Sequence, residues 1–137
     1  MQWNFVEPIE NEAHVQEFWN LLGVTIPPAI QATIIAYNGG APERDLFCTK
    51  SGQEHQVGYL LSYNADSAER YDLAQSILLE MRDQLGLLIP LMSDESGGNY
   101  ICYRPEDGAI LFWDHETNHL DLITSSWEDF LNHLYDE

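Results

Sequence analysis

The sequence predicts an α+β fold: a mainly antiparallel sheet of about five or six strands flanked by about four helices, in a single domain over residues 1–137. Three observations carry this. Residues 86–116 hold three short apolar runs in succession, at 87–92, 100–104 and 109–114, punctuated by Gly, Pro and Asp. β-branched and aromatic runs of that length, so bounded, suit strands. The turn Pro105-Glu106-Asp107-Gly108 between the last two is a hairpin signal, because Gly accepts the positive φ that the turn demands. On either side of this block, apolar residues recur at helical spacing.

Taken in order, residues 1–10 read as an extended arm with Trp3 and Phe5 on one side. Asn11 is a good N-cap for a first helix, in which Val15, Phe18, Trp19 and Leu22 share a face and which Gly23 ends. A second helix opens at Thr25-Ile26-Pro27-Pro28, buries Ile30, Ile34 and Tyr37, and stops at Asn38-Gly39-Gly40. Residues 41–44 read as loop, and residues 45–50 and 56–63 as a strand pair joined by the polar segment 51–55. A third helix is expected after Asn64. Asp66 and Glu69 form its capping box, Tyr71, Ala74, Leu78, Met81 and Leu85 its apolar stripe, and Gly86 its end. Beyond the central strands, 119–124 alternates as a half-exposed strand, with Asp121 outward and Leu120 and Leu122 inward. Ser125 and Glu128 make a second capping box, opening a helix over 126–135 with Trp127, Phe130, Leu131 and Leu134 on one face. In the central hairpin, Ile101, Ile110 and Phe112 are expected in the core. Trp113 and Trp127 are read as packing residues, not ligand platforms.

Charge narrows function. Five Lys and Arg stand against 23 Asp and Glu, a net −18. Contact with phosphates needs cations, so direct binding to nucleic acid or anionic lipid is not expected. The acidity either keeps the protein soluble or points to a partner that is itself basic. The start of the chain lacks the charged and apolar regions of a signal peptide, and no run approaches membrane-spanning length, so a soluble, cytoplasmic protein is expected. Cys48 and Cys102 each sit in an apolar run and read as reduced, buried small residues.

His115-Glu116-Thr117-Asn118-His119 matches the H-E-x-x-H signature of zinc proteases. That chemistry needs both imidazoles on one helix face, and here strand-like runs flank a turn-like Thr-Asn. The segment 93–99 lacks Lys and the EF-hand spacing, so it reads as an ordered loop, not a phosphate or calcium site. Neither a G-x-S-x-G elbow nor an activated cysteine is evident. No catalytic residue, metal or cofactor is assigned.

Ordered blocks then resemble a known family. IPP at 26–28, YNGG at 37–40, IP at 89–90 with SGGNY at 96–100, FWDHE at 112–116 and SSWEDFL at 125–131 look like those of the SUKH superfamily, which includes bacterial immunity proteins and a fungal regulator of cell-wall assembly. The resemblance covers most of the chain. It implies an α+β domain without enzymatic activity that binds and neutralises a polymorphic-toxin domain, often a nuclease. It also implies that Asp-His-Glu lies at a strand end. Residues 41–55 match nothing distinctive and are a place for partner specificity to vary. The expected function is inhibition of a cognate basic toxin, by a monomer or weak homodimer. A regulator or scaffold without a toxin partner is the alternative, and a metalloenzyme using His115, Glu116 and His119 a remote one. Loops at one end of a rigid sheet commonly carry recognition. The carboxylates concentrated there, Glu43, Asp45, Asp94, Glu95, Asp114 and Glu116, are the expected partner-binding residues.

Overall fold

The structure, a computed structural model, describes residues 1–64 and 86–137. The expected third helix lies outside them. Two sheets and three helices occupy the described residues. β1 (Trp3–Asn4) pairs antiparallel with β2 (Ala41–Pro42). The main sheet is a six-stranded meander of β3 (Leu46–Cys48), β4 (Glu54–Leu60), β5 (Ile89–Asp94), β6 (Tyr100–Tyr103), β7 (Ile110–Asp114) and β8 (His119–Thr124). Every neighbouring pair is antiparallel. The helices are α1 (Glu12–Leu21), α2 (Pro28–Tyr37) and α3 (Trp127–Asn132).

Local chemistry accounts for the ends of these elements. The Asn11 side chain accepts the His14 N–H to cap α1, and Pro28 opens α2, where no intrahelical donor is needed. At α3 the cap sits one residue later than expected: Ser126 Oγ accepts the Asp129 N–H at 3.2 Å. In the Arg104–Gly108 turn, Gly108 adopts φ 80 and its N–H donates to the Arg104 carbonyl. Arg104 grips Asp107 through Nε (2.9 Å) and an Nη (2.7 Å), and this guanidinium holds the Asp107 carboxyl down at about 2.

The central strands form the core. All of β5 and β6 is buried, and β7 is buried through Trp113, so both faces of the central sheet are covered. Ile101 and Ile110 are inaccessible and Phe112 is 4% exposed. Phe47 packs edge-on against Phe130, bringing α3 onto the sheet. Trp127 donates its indole N–H to Thr33, tying α3 to α2 (3.0 Å). Trp19 does the same to the Tyr63 hydroxyl, tying α1 to the chain beyond β4 (3.1 Å). Trp113 and Trp127 are both buried, as packing residues should be.

Several expectations are corrected. Residues 41–42 form β2 instead of loop, because the N-terminal arm supplies a partner strand. Trp3 and Phe5 do not share an environment: Trp3 stacks on Tyr37, whereas Phe5, at φ 61, is 74% exposed. That stack also leaves Tyr37 at the surface instead of in the core. Cys48 is exposed, because alternation on β3 turns Phe47 inward; Cys102 alone is buried. Leu122 is 39% exposed. The register moves from Ile110↔Thr124 to Leu111↔Leu122, so Ile123 is an extra residue that takes the buried position and breaks the alternation. A similar shift between Pro90 and Met92 accommodates a proline within an interior strand.

Candidate partner-binding site

The register places five of the six expected acidic residues in a row. The Val57 N–H donates to the Asp45 carbonyl, and Val57 lies opposite Asp94. Ser93 lies opposite Tyr100, Tyr100 opposite Trp113, and Asp114 opposite His119. Asp94, Glu95, Asp114 and Glu116 therefore sit where β5 and β7 meet their connections on the same side of the meander, and Asp45, just before β3, is level with Asp94 across β4. Glu43 sits two residues before Asp45, its N–H bound to the Gln2 carbonyl.

Their side chains differ in availability. Glu43, Glu95 and Glu116 are exposed. Asp45 is half-buried and accepts from Gln56 Nε2 at 2.8 Å. Asp114 is half-buried and accepts the Glu116 N–H at 2.9 Å, shaping the β7–β8 turn. Asp94 is 7% exposed, and its carboxylate accepts from Ser96 Oγ (2.7 Å) and Asn99 Nδ2 (3.1 Å). Its role is to shape the 94–99 loop, with Glu95 as that loop's outward charge. The same internal donors occupy the oxygens that a calcium loop would have to offer.

The H-E-x-x-H segment crosses the β7–β8 turn. Residues 115–118 are turn, Asn118 has φ 59, and His119 begins β8. The one-turn helical spacing of two imidazoles is therefore missing. His115 Nδ1 lies 2.9 Å from Asn99 Oδ1, and the ring rests on Gly98, where an added Cβ would come within 3.0 Å of it. Asn118 Oδ1 accepts the Trp113 indole N–H at 2.9 Å. Among the described residues, no group of three or more His, Cys, Asp or Glu is placed to hold a metal ion.

Two asparagines escaped the sequence reading. Asn99 joins the 94–99 loop to the β7–β8 turn by accepting from the His115 backbone while donating to Asp94. Asn38, read only as a helix stop, is a buried junction. Its Nδ2 donates to the Glu7 carbonyl (2.9 Å) and its Oδ1 accepts the Tyr63 N–H (3.0 Å). The available signal was the placement of each Asn beside glycine within a block, since such residues often make side-chain-to-backbone bonds.

Fold and sequence together define a strongly acidic α+β domain, with five of its 23 carboxylates in the row described above. The chain belongs to the SMI1 / KNR4 family (SUKH-1), whose model matches residues 10–133. It is also similar to the SPbeta prophage-derived uncharacterized protein YokK of Bacillus subtilis (strain 168), at 48% identity over 54 residues. That match spans 36% of this chain and 28% of the length of the relative. No solved structure matches the chain significantly. Among the described residues, no helix is long and apolar enough to cross a membrane.

Proposed function

We propose that this chain is a non-enzymatic immunity protein that binds and neutralises a basic toxin domain, with a nuclease as the expected chemical type. The supporting observation is the row of carboxylates at the strand ends, in a chain of net charge −18. A nuclease is cationic because it holds phosphates. An acidic inhibitor both accelerates encounter and covers the cationic cleft. The prophage origin in the name of the Bacillus relative fits a gene carried on mobile DNA.

In this reading Glu43, Glu95 and Glu116 steer the partner, Asp45 and Asp114 add partly shielded charge, and Asp94 holds the loop that presents Glu95. The test is association with the toxin domain encoded by the neighbouring reading frame, measured across ionic strength. Glu95→Lys with Glu116→Lys should slow association and flatten its salt dependence, leaving dissociation nearly unchanged, as rim charges do. Wild-type association and cell protection by Glu43→Lys, Glu95→Lys and Glu116→Lys combined would move the interface off the strand ends. Absence of any toxin in the locus would favour a regulatory or scaffolding member of the family.

A further inference from the structure

A second recognition feature lies away from the strand ends, at the seam where the outer strands β3 and β8 approach one another. Backbone bonds link the seam at two points. Leu46 exchanges N–H and carbonyl with Tyr135, and the Lys50 N–H donates to the Leu122 carbonyl at 2.7 Å. Between them opens a cavity of about 510 Å³, within the size range of small-ligand sites.

Its lining is specific. The Asp45 carbonyl accepts from Val57 of β4 and the Thr49 N–H donates to Gln53 just before β4, so by alternation the N–H and carbonyl of Cys48 point away from β4, toward the cavity between the two links. Half-buried Tyr135 supplies the accessible aromatic surface, with Phe47 and Phe130 buried behind the wall. The Tyr135 hydroxyl bonds to Cys48 Sγ and Glu54 Oε2, which holds it protonated and the ring in place. Asp129 contributes a carboxylate that forms no ion pair among the described residues, and exposed Lys50 is the opposing charge.

We propose that this cavity is a guanidinium pocket that takes an arginine side chain of the basic partner. The inference rests on the immunity reading for the identity of that partner. A chain of net charge −18 concentrates cations at its surface and repels anions. Among cations, a planar guanidinium uses what the lining offers: the Tyr135 ring to stack on, and a carboxylate and a backbone carbonyl as acceptors. An ammonium would use the charge but not the planar face.

The test needs no toxin. N-acetyl-arginine methylamide is titrated into the full chain and backbone amide shifts are followed, with the lysine and citrulline analogues as comparisons. Saturable shifts are expected at Cys48, Leu122 and Tyr135, stronger for arginine than for lysine and lost with citrulline. Asp129→Asn should weaken binding about three- to five-fold, and Lys50→Met should strengthen it about two- to three-fold. Thermal melts confirm that both variants fold. Shifts spread equally over the strand-end carboxylates, or no opposite response of the two variants, would overturn the pocket. Such a failure with toxin binding intact would leave the immunity reading standing. Arginine binding at the seam with no toxin association would overturn that reading alone.

Discussion

At the scale of single residues, the Trp19–Tyr63 pair joins α1 to the sheet. The rings meet edge to face at 5.8 Å, and the indole N–H finds its acceptor on the phenol. Tyr63→Phe would leave that N–H buried without an acceptor and should destabilise the fold by about 1–3 kcal/mol, measured by urea unfolding. Burial pushes the Tyr63 hydroxyl up to about 12, with the Trp19 bond acting in the opposite sense. A raised value means that its contribution is complete below the ordinary value of 10.0 and fades as pH rises through about 12. Asp107 behaves in the opposite way. Its value lies below the ordinary 3.8, so the turn is fully supported above that pH and loosens as pH falls through about 2. A carboxyl titration by NMR should return Asp107 toward its ordinary value in Arg104→Gln. Phe112, stacked under His55 with centroids 3.9 Å apart, is the larger packing residue. Phe112→Ala should cost about 3–5 kcal/mol, and a loss below about 1 kcal/mol would remove it from the core.

At the scale of elements, the 94–99 loop is held by one buried carboxylate and its donors. Asp94→Ala should cost about 1.5–3 kcal/mol by equilibrium unfolding, in line with hydrogen bonds to a charged group. Faster amide exchange confined to 95–99 and to residues near His115 would accompany it. The strands were legible because Asp-Gly and Gly-Gly turns bracket β-branched and aromatic runs, and β8 occupies the expected 119–124. The acidic row was legible as a composition of loops, and strand register then put those loops side by side. Less visible were features fixed by a distant partner. Tyr37 has helical-core spacing, yet Trp3 covers its ring at the surface. Leu122 has the right alternation, yet a bulge hands its buried place to Ile123. Asp94 reads as one more loop acid until Ser96 and Asn99 are seen around it. Periodicity carries the faces of an element, whereas bulges and side-chain junctions depend on residues far along the chain.

At the scale of the whole molecule, five cations against 23 acids make self-repulsion a standing cost. Screening should relieve it, so the melting temperature is expected to rise from 20 mM to 500 mM NaCl at pH 7. An unchanged or falling value would mean that local pairs offset the repulsion. The same measurement with EDTA should show no shift, since the two histidines of the H-E-x-x-H segment sit across a turn. The seam between β3 and β8 has one more consequence. Outer strands with unused peptide groups are templates on which further chains can stack into fibrils. Here Tyr135 occupies the Leu46 rung and Leu122 occupies the Lys50 rung, leaving the single Cys48 rung between them. A foreign strand would therefore find no continuous ladder along β3 to copy, which shields the buried strands β5 to β7 behind it from edge-on addition.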